Sequence, residues 1–120
     1  GLSIVVEALL NGILRTSLTV DTGASLVVIP RDTAEKLGVS RQKNLSLTMV
    51  LADGRKVPAH PVVLDTLQVG DVKLEHVSAV VLDSTEAEGA QALLGMSFLE
   101  NFVIRMDARN NRLVFEQFNP

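Results

Sequence analysis

Asp21 is the residue in this 120-residue chain whose type and setting point most directly to chemistry. Leu18-Thr19-Val20 runs up to it and Leu26-Val27-Val28-Ile29 follows it, so a carboxylate stands between two apolar, strand-like stretches. An unpaired charge buried in such a place is strongly unfavourable. The two residues after it, Thr22 and Gly23, allow a plain explanation: an Asx turn, with Asp21 bonding the following backbone and Gly23 supplying a positive φ. They also allow a carboxylate kept for proton transfer. Other reactive groups are scarce. The chain has no cysteine, which excludes disulfides and thiolate metal sites. His60 and His76 lack ligand-like spacing and are expected to be surface or strand histidines, so no metal or other cofactor is expected.

The composition sets the scaffold that must hold Asp21. Hydrophobic residues make up 47% of the chain but aromatics only 3%, which favours an aliphatic, β-rich core within a single domain, residues 1–120. The net charge is −3, with no basic stripe interleaved with aromatics, so nucleic acid is not an expected partner. No apolar run approaches the ~18 residues of a membrane span. The chain begins at Gly1 rather than Met, as expected of an excised or processed domain.

Short β-type runs at 4–10 and 13–20 flank Asn11-Gly12, a strong signal for a type I′ hairpin turn. The second of these strands carries the chain into Asp21. Residues 26–29 form a fully apolar strand ended by Pro30. Asp32 and Glu35 have capping-box spacing, which predicts a helix over 33–37 closed by Gly38. Residues 45–51 and 56–64 read as a hairpin about Ala52-Asp53-Gly54-Arg55, with Pro58 and Pro61 suggesting an edge strand. A third hairpin turns at Gly70-Asp71 and continues through 77–82, and 84–90 reads as a polar, acidic loop. Leu93-Leu94-Gly95 precedes a helical turn or two over 97–102, and strands 103–107 and 112–116 close the chain. Eight or more short strands at close spacing indicate a β-barrel or sandwich-like domain.

The order of hairpin, Val20-Asp21-Thr22-Gly23-Ala24-Ser25, Gly-tipped hairpin, Leu93-Leu94-Gly95, short helix and closing strands resembles a retropepsin-type aspartic protease. It is especially similar to the small bacterial single-domain members, over about residues 5–115. The resemblance implies an all-β, retropepsin-like closed β-barrel with one or two short helices and one lobe per chain. It implies a homodimeric aspartic endopeptidase acting on peptide or protein substrates. Such enzymes use two facing carboxylates that share one proton, since two carboxylates ~3 Å apart cannot both ionise comfortably. The chain has a single Asp-Thr-Gly, so the resemblance implies a two-fold dimer with Asp21 from each copy on the axis.

By the same resemblance, Thr22 would lock the two loops across the axis and Gly23 would let substrate backbone approach. Ala24, Ser25, Leu93, Leu94 and Gly95 would support the site, with 26–29 and 93–95 interlocked beneath Asp21. Ala52, Asp53, Gly54 and Arg55 would tip a flap over bound peptide. This tip lacks the glycine run of retroviral flaps. Ser25 stands where retroviral enzymes carry an acidic residue and Met96 where they carry an arginine, so that ion pair is replaced on both sides together. Bacterial relatives of this kind are often membrane-anchored or periplasmic, which sets the expectation for compartment. A rival reading is a catalytically idle retropepsin-like domain used for dimerisation or peptide binding. A ligand-binding β-barrel has no positive sequence feature in its favour.

Overall fold

The computed structural model describes residues 3–39, 45–51, 53–82, 90–107, 109, 110 and 112–117. In chain order the elements are β1 (Val5–Leu10), β2 (Leu14–Val20), β3 (Val27–Pro30), α1 (Arg31–Leu37), β4 (Leu47–Val50) and β5 (Lys56–Val69). They continue with β6 (Val72–Leu82), β7 (Leu93–Leu94), α2 (Met96–Leu99), β8 (Phe102–Asp107) and β9 (Arg112–Gln117). Seven strands form one sheet in the order β1-β2-β7-β3-β6-β5-β4, and β1 also pairs with β5. That extra pairing bends the sheet back on itself into the barrel-like curl of the expected all-β fold. Strands β8 and β9 form a separate antiparallel pair.

The first hairpin forms as its sequence dictates. Asn11 and Gly12 take φ of 53° and 70°, and the Ile13 N–H donates to the Leu10 carbonyl at 3.0 Å. Asn11 also ties the turn to β5, donating its N–H to the Thr66 carbonyl at 2.8 Å. Helix α1 differs from expectation at its start. Pro30 takes the N-cap position, the helix begins at Arg31, and no side chain caps it, so Asp32 lies in the first turn and no capping box forms. Its end is as expected, with Gly38 left-handed at φ 66°.

Two apolar clusters share the strands. The larger includes Leu10, Leu18, Val27, Ile29, Leu64, Leu67, Val81, Leu94 and Phe98; the smaller gathers Val28, Val57, Ala59, Val80 and Leu82. Strand β3 is apolar throughout because alternate residues enter different clusters: Val27 and Ile29 one, Val28 the other.

Strand β5 is longer than expected and is not a simple edge. Its first residues pair with β4 and the stretch from His60 pairs with β6. Pro58 faces Thr48 and Pro61 faces Val80, so among the described pairings each proline has a neighbour on one side, and there its missing N–H is tolerated. Asp65 and His76 drop out of the β5–β6 register, and His76 has φ 55°. Inward positions change parity there. Val62 and Leu64 precede the kink and Leu67 and Val69 follow it, yet all four enter the larger cluster. Strand β4 is shorter than the expected 45–51 run. Residues 83–89, most of the expected acidic loop, lie outside the described residues, as do Ala108 and Asn111 of the last turn. Helix α2 ends at Leu99 and Asn101 closes it, its side-chain amide donating to the Ser97 and Phe98 carbonyls, so Phe102 belongs to a strand and not to a helix.

Candidate active site

Strand β2 delivers the backbone to Asp21, whose N–H donates to the Leu94 carbonyl at 3.1 Å. A tight turn follows, in which the Ala24 N–H donates to the Asp21 carbonyl at 3.2 Å. The Gly23 N–H donates to Asp21 Oδ1 at 2.9 Å, so the Asx turn is present. Gly23 does not have the expected positive φ. Its lack of a side chain matters for space instead: a Cβ there would stand 3.2 Å from Asp21 Oδ1, pressing on the carboxylate.

Residues 93–97 hold this turn from beneath. Strand β7 lies parallel to β2, with Leu93 beside Thr19 and Leu94 beside Val20, and antiparallel to β3, with Leu93 opposite Val28. The expected interlocking of 26–29 with 93–95 is thus present as a two-residue strand inserted between the strands on either side of Asp21. Leu94 is fully buried in the larger cluster, while Leu93 packs with the smaller one. Gly95 has φ −98°, open to any residue, but a Cβ would run into the Leu26 carbonyl and lie 2.8 Å from the Ala24 carbonyl oxygen. The Met96 N–H then donates to the Ala24 carbonyl at 2.8 Å and the Ser97 N–H to the Ser25 carbonyl at 2.9 Å.

Ser97 is a site contact that the sequence reading missed. Its hydroxyl accepts from the Val27 N–H at 3.0 Å and donates to the Ser78 carbonyl at 2.7 Å. A serine two residues after an apolar-apolar-Gly stop was the available signal, but a hydroxyl near a helix start has many ordinary uses.

Asp21, Gly23, Ala24, Ser25 and Leu93 line a cleft of about 820 Å³, together with Asp53 and Arg55 from the β4–β5 hairpin. Its walls include Leu26, Val28, Met49, Leu51, Val80 and Leu82, so the cleft is the open face of the smaller apolar cluster. Thr22 is exposed beside the cleft without lining it, and Gly54 occupies the hairpin tip with φ 89°. Ala52 lies outside the described residues. The tip is fastened internally: the Leu51 N–H donates to the Arg55 carbonyl at 2.8 Å, and Asp53 accepts from the Arg55 N–H at 3.0 Å and from Arg55 Nε at 2.7 Å. The Arg55 backbone N–H, then its guanidinium, hold the Asp53 carboxyl below the ordinary value of 3.8. Among the described residues no cluster of His, Cys, Asp and Glu is arranged to hold a metal, and no helix is long and apolar enough to cross a membrane.

An aspartyl protease family model matches residues 6–98, which take in the Asp21 turn and the segment clamping it. The chain belongs to the aspartyl protease family. A retropepsin-like aspartic protease from Rickettsia conorii has the same fold, with a TM-score of 0.68 at 27% identity over 88% of this chain and 85% of that one. The retroviral protease-like domain of Ddi1 from Leishmania major aligns over 99% of this chain and 92% of its own, with a TM-score of 0.64. At 16% identity, that likeness is one of fold. A Sinorhizobium protein, the uncharacterized protein in the cobV 5′ region, is 34% identical over 106 residues. The match covers 80% of this chain but 44% of that protein, so this aspartyl protease family member spans less than half the length of that relative. The retropepsin-like fold expected from the motifs is therefore the fold of this aspartyl protease family member.

Proposed function

We propose that the protein is an aspartic endopeptidase that works as a homodimer, with one water activated between the Asp21 carboxylates of two copies. The observation that carries this is the position of Asp21: on a clamped turn at the edge of an apolar cleft, beneath a hairpin. The other described carboxylate of the cleft, Asp53, is occupied by Arg55. In this reading the second catalytic carboxylate comes from a second copy of the chain, since the sequence holds a single Asp-Thr-Gly.

In this mechanism one Asp21 is ionised and its partner is protonated, because like charges at close range cannot both persist. The ionised carboxylate takes a proton from water as the water oxygen attacks the scissile carbonyl carbon. The protonated carboxyl donates to the carbonyl oxygen, giving a neutral tetrahedral diol. Collapse of that intermediate breaks the C–N bond and delivers a proton to the departing nitrogen. Thr22 would bridge the two turns across the axis, Ala24, Ser25, Leu93, Leu94 and Gly95 would brace them, and the 52–55 tip would close over extended peptide and exclude water.

Asp21→Asn tests the assignment, since the amide has the same shape and cannot act as the base. Cleavage of a mixed apolar peptide library is expected to fall by about 10²–10⁴-fold or more, with the circular dichroism spectrum and sedimentation unchanged. Full activity in the variant overturns the reading.

A further inference from the structure

We infer that Ser97 is a positioning residue for the proposed hydrolysis, holding the Asp21 turn in its reactive geometry through its hydroxyl; this rests on the reading of Asp21 as the catalytic carboxylate. The turn and the start of β3 are pinned from below by four hydrogen bonds from segment 94–97. Three are made by backbone on both sides: Asp21 N–H to Leu94, Met96 N–H to Ala24 and Ser97 N–H to Ser25. The fourth is made by the Ser97 side chain, where Oγ accepts from the Val27 N–H.

The same hydroxyl donates to the Ser78 carbonyl of β6, one residue before Ala79 pairs with Val27. Ser97 therefore fixes where β3 enters the sheet, and with it the last residues of the turn. Val27 is fully buried, so water cannot readily replace the lost acceptor when the hydroxyl is removed. Relaxation of the Val27 N–H has to move residues 24–27. Because Ala24 is bonded back to the Asp21 carbonyl, that movement reaches the carboxylate. The apolar walls that would hold a peptide, such as Met49, Leu51 and Leu82, make no contact through this hydroxyl. The effect is therefore directed at turnover rather than at binding. A misplacement of about 1 Å at a reacting group can cost on the order of 10²-fold in rate.

The test compares wild type, Ser97→Ala, Ser97→Thr and Val69→Ala, a buried β5 position remote from the cleft, together with Asp21→Asn. Ser97→Ala is expected to lower kcat by about 10- to 100-fold while KM changes by less than about 3-fold. It should also speed hydrogen exchange at the Val27 amide and shift the Gly23 amide resonance. Ser97→Thr, which keeps the hydroxyl, should recover most of kcat. Val69→Ala should lower the unfolding midpoint while leaving kcat near wild type. The inference is overturned if Ser97→Ala keeps wild-type kcat with an unshifted Gly23 amide. It is equally overturned if Val69→Ala loses kcat to the same degree at matched stability, since the role of Ser97 would then be general stability. Activity retained in Asp21→Asn would instead remove the reading of the site itself, and the exchange and resonance shifts would still report whether Ser97 sets the turn.

Discussion

Gly95→Ala is expected to be severely destabilising, and the reason is contact rather than backbone conformation. The glycine has φ −98° and ψ −171°, which alanine adopts freely. The new methyl would collide with the Leu26 carbonyl and approach the Ala24 carbonyl oxygen, and both are backbone atoms that cannot rotate away. Overpacking of this kind costs about 1–3 kcal/mol. Separating the segments also weakens the Met96–Ala24 and Asp21–Leu94 hydrogen bonds, at about 1 kcal/mol each. The entropic gain of replacing glycine offsets about 0.5 kcal/mol. A net loss of about 3–4 kcal/mol corresponds to a Tm drop of roughly 10–20 °C for a chain of this size. The chain has no tryptophan or tyrosine, so urea and thermal unfolding are followed by far-ultraviolet circular dichroism. Protomer concentrations are kept equal, because assembly shifts apparent stability. The companion is Gly23→Ala, where the methyl meets only Asp21 Oδ1 at 3.2 Å on an exposed turn. It should unfold within about 1 kcal/mol of wild type yet lose cleavage activity. A Gly95→Ala protein as stable as wild type, or a Gly23→Ala protein just as damaged, would refute the reasoning.

Phe98→Ala should cost about 3–5 kcal/mol, because Phe98 is fully buried and its ring lies 5.2 Å from that of Phe102 and 5.9 Å from that of Phe115; urea unfolding checks it, with early hydrogen exchange expected across the β8–β9 pair. Specific activity should fall on dilution as dimers dissociate, and Thr22→Ala should move that fall to higher concentration by about 1 kcal/mol of dimer stability; activity linear in concentration across a dissociation seen by sedimentation contradicts a shared site. Asp53 has a lowered carboxyl value in the folded chain, so its contact with Arg55 is in place above 3.8 and is lost as pH falls through the lower folded value. The Arg55 amide resonance reports this, and a transition centred above 3.8 contradicts the fastening of the hairpin tip.

Much of the site's support was legible because single residues leave strong local marks. Asn11-Gly12 has few alternatives to its turn, and 26–29 is apolar at every position because both of its faces are buried. What escaped depends on partners distant in sequence. Asp32 and Glu35 carry the spacing of a capping box, but Pro30 needs no donor bond at a helix start and took the N-cap first. The expected strand stops at residue 64, whereas β5 runs on through Asp65 to Val69, with His76 opposite it at a positive φ and both strands changing phase together. The plain Asx-turn reading gives Gly23 a positive φ, which it lacks; what the turn needs of it is space beside a carboxylate. Ser97 could not be singled out because both partners of its hydroxyl, Val27 and Ser78, are fixed only once β3 and β6 lie side by side.

The two-residue strand β7 also has a consequence for biosynthesis. Its partners in β2 lie more than seventy residues earlier in the chain, so the pairing is among the most non-local in the fold. Contacts of that separation are slow to form, because the loop entropy is lost before the contact repays it. Until the ribosome reaches residue 93, Asp21 is already present but nothing lies beneath its turn. The nascent chain thus carries Asp21 without a braced turn around it, and the last part of the candidate site to be made, 93–97, is also the part that completes it.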